Sequence, residues 1–340
     1  MNQSLAWLVK LLLTALVLAL IVWNLEIGRL ARTLASASLT AVAISFVLVF
    51  IQAGLAAKRL SIVITTFGRI ISLRDAMRVT MEGLFFSQTF VSFLGGDAQR
   101  IWNIRKCGLS LNEAASVIAF DRFVGIMINH AVVVVCTCYL VLTIDSTPVR
   151  IGLLLIAAGG VGAIALVLAI GFMRGRFERL IPQSLQANRL AQFLFEISTV
   201  GHHVFTRGPK VLYAFAVSFL IAGVNSLVFL AVLLGWGVPL PSAIGCALLV
   251  PAIQEVAMLP ISIAGWGVRE ATSIFAFASF GVSGEYAFGS SVTFALVTLA
   301  LGLIGGLVWQ FDRREIGTLG TIPVNGDADA NKKGFSASPR

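Results

Sequence analysis

Charge is what this sequence lacks. Of its 340 residues only 12% are Asp, Glu, Lys or Arg, about half the share of a soluble globular chain, while 58% are hydrophobic before its 32 glycines are counted. A single water-soluble core cannot absorb that composition, which excludes a soluble enzyme and a disordered chain. Histidine and cysteine are as sparse, at three and four residues. Cys107, Cys136, Cys138 and Cys246 have no CxxC or CxxH spacing, which predicts free thiols and excludes a disulfide scaffold. His130 stands alone in an apolar run, and His202 and His203 have no carboxylate or cysteine cluster beside them, so neither a metal nor a cofactor is expected.

Long apolar runs take the place of charge. With a mean hydropathy of +0.93, the chain reads as an all-α polytopic membrane protein. Six runs are long enough for full transmembrane helices: Leu5 to Leu25, Leu39 to Ala57, Phe123 to Thr143, Ile151 to Phe172, Leu212 to Trp236 and Ala287 to Gln310. The first resembles a signal peptide but has no nearby cleavage site and is expected to stay as a span. Two further regions are interrupted. Val79 to Leu94 is short and runs into Gly95 and Gly96, and Ser242 to Phe280 is broken by Pro251, Pro260, Gly265 and Gly267. Both read as broken or re-entrant helical hairpins, a form tolerated at membrane depth only where protein or a wet cavity satisfies the freed backbone.

The net charge of +9 and pI near 9.9 do not indicate nucleic acid, because the basic residues lie between the apolar runs. Lys58 to Arg78 and Met173 to Val211 are rich in Lys and Arg and read as cytoplasmic, the latter as an amphipathic elbow or an ordinary loop. Both termini then lie in the cytoplasm, and the two broken segments enter the membrane from opposite faces. An inverted repeat produces that arrangement, and two unrelated helix ends stopped by glycine are the alternative. The membrane domain spans residues 1–315, followed by a polar tail over 316–340 that is expected to be disordered.

An ionisable group at bilayer depth costs about 2.5–3.5 kcal/mol on the insertion scale, so each one needs a partner or a wet cavity. Glu82, Asp97, Arg100, Asp121, Arg122, Glu255, Arg269 and Glu270 lie at the two breaks and on the helix between them. At the first break, Gly95 and Gly96 expose backbone N–H groups and Arg100 can grip a phosphate; alternatively Asp97 caps a helix starting at Ala98 and Arg100 snorkels to the interface. Arg269 and Glu270 point about 100° apart on a helix, so each is expected to seek a partner elsewhere, Arg269 among Glu255, Asp97 and Asp121. Arg122, near a helix start, needs a carboxylate or lipid partner. Gly302 and Gly306 read as a packing face.

These residues carry a resemblance. Gly95-Gly96-Asp97-x-x-Arg100, Asp121-Arg122-x-x-Gly125 and Pro260-x-Ser262-x-x-Gly265-x-Gly267-Val268-Arg269-Glu270 resemble the flippase-like transmembrane region of the lysylphosphatidylglycerol synthase family, from the first span to about Gln310. Gln88 and Val91 depart from the Asn and Pro usual before the double glycine, and Asp121 from the usual Glu. The resemblance implies an inner-membrane protein that moves a polar-headgroup lipid between leaflets, with phospholipid, glycolipid and isoprenoid-type lipid all open as substrates. The cytosolic synthase domain of fused relatives is not in this sequence, so lysylphosphatidylglycerol synthesis is not expected of it.

On this reading Arg100 and Arg269 hold phosphate. Asp97, Glu255 and Glu270 hold a cationic headgroup or complete ion pairs with Asp121 and Arg122 nearby, and Gly95, Gly96, Gly265 and Gly267 permit movement. The alternatives are a membrane-embedded transferase using Asp97 or Glu270 as general base, and a non-catalytic membrane partner of a lipid-modifying enzyme. No catalytic residue is assigned, and membrane lipids are the expected partners.

Overall fold

In lipid every backbone N–H and C=O must be bonded within its own segment, so apolar runs free of clustered charge fold as helices. The computed structural model describes residues 38–89, 93–173, 199, 201–206, 208–259, 265–311 and 320–321. Helix α1 covers Leu39–Thr66, α2 Leu73–Thr89, α3 Phe93–Lys106, α4 Leu111–Thr143 and α5 Thr147–Phe172. After these come α6 Lys210–Gly235, α7 Leu240–Ala257, α8 Val268–Phe277 and α9 Gly284–Phe311. Six of them, α1, α4, α5, α6, α7 and α9, are long and apolar enough to cross a membrane. The chain is an all-α polytopic integral membrane protein. The run Leu5 to Leu25, most of the elbow at Met173 to Val211 and most of the tail at 316–340 lie outside the described residues.

Helices α1 and α6 form the most extensive pairing, and they run antiparallel: Gly235 lies beside Ala41 near one end, and Arg59 reaches Ser218 towards the other. Around this pair sit two helical hairpins. In the α2–α3 hairpin Gly96 packs on Ser87 near the tip and Glu82 meets Asn103 further down. In the α7–α8 hairpin Gly265 packs on Ala257 near the tip, and the Phe280 ring lies over Gly245 towards the base. The first hairpin starts and ends beside the C-terminal end of α1, and the second starts just beyond the C-terminal end of α6. Because α1 and α6 are antiparallel, the hairpins enter from opposite ends of the bundle, as expected from the charge pattern.

Three details differ from the sequence reading. Gly95 and Gly96 lie in the first turn of α3 and do not break a helix; α2 ends earlier, at Thr89. The absent side chain of Gly96 lets α3 lie on α2, since a Cβ there would press on the Gly83 backbone carbonyl and stand 2.8 Å from the Ser87 Cβ. Asp97 is therefore a helical residue and not an N-cap. Helix α4 begins at Leu111, opened by a capping box in which Ser110 and Glu113 bond each other's backbone N–H. Asp121 and Arg122 are thus carried well inside that helix. The packing role of the C-terminal glycines holds, with Gly305 and Gly306 closest to α2: a Cβ on Gly306 would meet the Phe85 ring at 2.7 Å. Arg69–Ile70 and Gly320–Thr321 pair as two-residue antiparallel strands at the base of the first hairpin.

Candidate functional site

The tips of both hairpins meet the middle of α1, α4, α6 and α9 around a cavity of about 310 Å³. Amide and hydroxyl side chains line it from several directions: Gln52 on α1, Ser87 and Gln88 on α2, Asn129 on α4, Asn225 on α6 and Gln254 on α7. Four arginines, Arg59, Arg100, Arg122 and Arg269, reach its wall from four different helices. Burying that much positive charge requires carboxylates, and three of the four arginines have one.

Arg59 on α1 grips Asp121 on α4 in bidentate fashion, Nε to Oδ1 at 2.8 Å and Nη2 to Oδ2 at 3.0 Å, with Ser218 of α6 accepting from Nη1 at 3.3 Å. Parallel N–H···O bonds of this kind are the strongest geometry open to a guanidinium. The pairing explains the glycine one turn after Asp121: a Cβ on Gly125 would lie 2.7 Å from Arg59 Nη1. Arg122 donates to Asp97 across the α3–α4 contact, from Nε at 2.9 and 3.0 Å and from Nη2 at 2.8 Å. These two links tie α4 to α1 and to the first hairpin.

Arg269 and Glu270 do what their angular separation argued against. Arg269 Nη2 donates to Glu270 Oε1 at 3.1 Å, and Ser291 of α9 joins them, accepting from Arg269 Nε at 3.0 Å and donating to Glu270 Oε1 at 2.7 Å. The other Glu270 oxygen accepts the Gly267 backbone N–H at 2.6 Å. Glu270 turns back to cap its own helix, and the long arginine arm follows it, so neither residue needs a distant partner. Gly267 enters the helix at φ 80°, a left-handed conformation that favours glycine. Glu255, Asp97 and Asp121, the partners expected for Arg269, are engaged by His130, Arg122 and Arg59 instead.

Arg100 is the exception. Its contact with Asp97 is long, 3.9 Å from Nη1, and its buried Nε has no hydrogen-bond partner. Glu82 does not relieve it, since that carboxylate accepts from Arg78 at 2.8 Å, Asn103 at 2.8 Å and Gln99 at 3.2 Å. The cavity therefore carries one guanidinium more than its carboxylates neutralise.

The match to known families now has a geometric setting. The family described as Lysylphosphatidylglycerol synthase TM region matches residues 7–306. The chain belongs to this family. It is thereby a membrane protein of lipid-related function. No curated protein and no solved structure matches the chain.

Of the residues singled out in the sequence, Arg100, Arg122 and Arg269 line the cavity, and Asp97, Asp121 and Glu270 stand behind arginines that do. Glu255 belongs to a neighbouring contact with His130. Within the family motif, Pro260 and Ser262 lie outside the described residues. Two residues were missed. Arg59 was counted among the cytoplasmic basic residues, yet it is buried, and only the continuation of α1 past Ala57 signals this. His130 was read as solitary because its partner lies 125 residues away. Among the described residues no group of three or more His, Cys, Asp or Glu side chains is placed to hold a metal. At the end of α3, burial and then Asp75 push the Cys107 thiol up to about 11, which keeps it protonated.

Proposed function

We propose that this protein is a lipid flippase, in which the cavity between the two hairpins takes the phosphate of a lipid headgroup while the acyl chains stay in the bilayer. The observation that carries the reading is Arg100, a largely buried arginine that reaches the wall of the cavity without a close carboxylate, while its Nε, packed against Gly83, bonds nothing. Such a group at membrane depth favours an anion, and a phosphodiester matches its planar fork. The amide side chains around it suit the uncharged polar part of a headgroup. A cationic headgroup finds less support, because Asp97, Glu255 and Glu270 each already accept from a protein side chain.

The same saturation weakens the transferase reading. Asp97 takes three bonds from Arg122, and Glu270 accepts from Arg269, Ser291 and the Gly267 N–H, so neither carboxylate is poised as a general base. Orientation follows from charge. Arg69, Arg74, Arg105, Lys106 and Lys210 gather at the end where the first hairpin has its base, and this excess of positive charge supports a cytoplasmic placement of that end.

Purified protein in liposomes carrying a fluorescent phospholipid, with the outer leaflet quenched chemically, tests the proposal. Wild type is expected to expose inner-leaflet lipid to the quencher. Arg100→Ala should slow that exposure at least tenfold, with Arg100→Lys between the two. Equal rates for wild type and a folded Arg100→Ala overturn the reading. Inorganic phosphate added in excess separates a lipid-borne phosphate from a free anion: only a site for the free anion leaves lipid exchange absent while phosphate protects the protein against unfolding.

A further inference from the structure

The lipid reading makes no use of His130, which is 3% exposed in the middle of α4. Its Nε2 lies 3.1 Å from the Ala157 carbonyl of α5, and its Nδ1 lies 3.0 and 3.2 Å from the two carboxylate oxygens of Glu255 on α7. A carbonyl only accepts, so Nε2 must carry a hydrogen. A carboxylate also only accepts, so Nδ1 must carry a hydrogen too, or else Glu255 must be protonated and donate to Nδ1. In either arrangement the pair holds one proton more than a neutral imidazole and a carboxylate would. Removing that proton sets a lone pair against an acceptor, facing Glu255 in one tautomer and Ala157 in the other. One helix contact is then lost whichever tautomer forms.

Among the described residues no other charged side chain bonds either member of the pair. Within α7 the only other titratable group is Cys246, and α5 carries a single charged residue, Arg150, near its start. Helix α6 contributes only Lys210 and Tyr213 in its first turn, and α9 Glu285 and Tyr286 in its own. On α8 Arg269 and Glu270 bond each other, and on α4 Asp121 and Arg122 are held by Arg59 and Asp97. On α1, Arg59 is spent on Asp121, and Lys58 is exposed. The ring itself is clamped, because it occupies the space a Cβ on Gly160 would need. Asn129, one residue earlier and on the cavity wall, donates to Glu255 Oε1 and to the Pro251 carbonyl, both at 3.2 Å, and so joins this contact to the cavity.

We infer that His130 and Glu255 form a proton site that ties α4 to α5 and to the α7–α8 hairpin at once when occupied and gives up one of those two contacts when empty, so that lipid movement is coupled to a proton. The proton leaves the pair for water reaching the cavity and returns when both contacts form again. Glu255 serves here as a proton carrier and not as a headgroup contact. The inference rests on the flippase reading for its consequence, but the site itself can be examined without it.

Two measurements on the full chain keep the two claims apart. In lipid nanodiscs, hydrogen exchange of residues 251–259 or of residues 153–161, corrected for the intrinsic pH dependence, should become at least tenfold less protected on going from acid to alkaline pH in wild type, the segment that responds naming the contact that is lost. Glu255→Gln and His130→Gln should remove that pH dependence, each serving as a check should the other misfold. In liposomes, the ratio of lipid-exchange rates under oppositely directed pH gradients should exceed about fivefold in wild type and fall to about one in Glu255→Gln. Protection in wild type that does not change with pH overturns the proton site. Exchange that ignores the gradient while protection does respond overturns the coupling alone. Absence of any lipid exchange overturns the flippase reading and leaves the site to be decided by hydrogen exchange.

Discussion

The two hairpins approach the same cavity from opposite ends with different electrostatics. In the α7–α8 hairpin the charges at the tip close on one another: Arg269, Glu270, Ser291 and the Gly267 N–H satisfy themselves within a few ångströms. In the α2–α3 hairpin Asp97 is spent on a guanidinium from α4, and Arg100 on the same helix is left over. A shared architecture therefore serves two purposes. The second hairpin neutralises its cation within α8 and ties that helix to α9 through Ser291, whereas the first keeps an unmatched cation where a ligand can reach it. Breaking a buried pair is expensive and removing an unmatched charge is not, so substitutions should separate the two sharply.

The largest effect is expected at Glu270. Glu270→Ala strands a buried guanidinium and the Gly267 N–H together, costing about 3–5 kcal/mol, which thermal unfolding in detergent would show as loss of the folded species. Asp97→Ala should cost less, about 1.5–3 kcal/mol, because Arg122 and Asp97 keep 27% and 20% of their side-chain surface. Equal losses at the two positions would erase the contrast between the hairpins. Arg100→Ala should leave stability unchanged or higher while weakening binding of a phosphodiester-headgroup lipid by tenfold or more, or about 1.5–3 kcal/mol. Native mass spectrometry with phosphatidylglycerol checks this, and a large loss of stability would mean Arg100 is structural.

Glycine substitutions sharpen the comparison further. Gly96→Ala presses a methyl on Ser87 between α2 and α3 and should cost about 1–3 kcal/mol. Gly267→Ala must adopt φ 80°, at about 1–2 kcal/mol. Ser87→Gly should rescue Gly96→Ala only in small part, because the Gly83 backbone carbonyl stands closer still and cannot be trimmed, and no neighbouring change should rescue Gly267→Ala. The smallest effect belongs to Trp266, whose ring lies 5.9 Å from the Arg269 guanidinium. Trp266→Leu should cost about 0.5–1 kcal/mol, and no change would show that Glu270, Ser291 and the Phe294 ring hold Arg269 without it.

Much of the fold was legible because lipid leaves few choices. The runs at Leu39, Phe123, Ile151, Leu212 and Ala287 became helices, and the loop charges predicted the opposed entry of the hairpins. Helix ends were less legible, since α1 and α4 extend past their apolar runs as soon as a partner satisfies the charge they carry. Arg59 looked like a loop residue for that reason. The pairing of the candidate charges was the least legible part. Sequence spacing describes neighbours on one helix, but Arg59 with Asp121 and His130 with Glu255 depend on which helix faces lie against each other. Arg269 with Glu270 shows the converse: adjacent positions on a helix can still pair when the side chain is long and a third group bridges them.

The ion pairs also set an order of assembly during synthesis. Asp97 finds Arg122 after 25 residues, and Arg59 must wait 62 for Asp121. Both pairs become available when α4 emerges. His130 in that helix meets the Ala157 carbonyl after 27 residues, but its other ring nitrogen has no partner until Glu255 arrives 125 residues after it. A chain interrupted after α6 would hold a complete first hairpin beside an α4 whose histidine still faces an empty place on one side; α7 fills that place, and α8 and α9 then close the cavity.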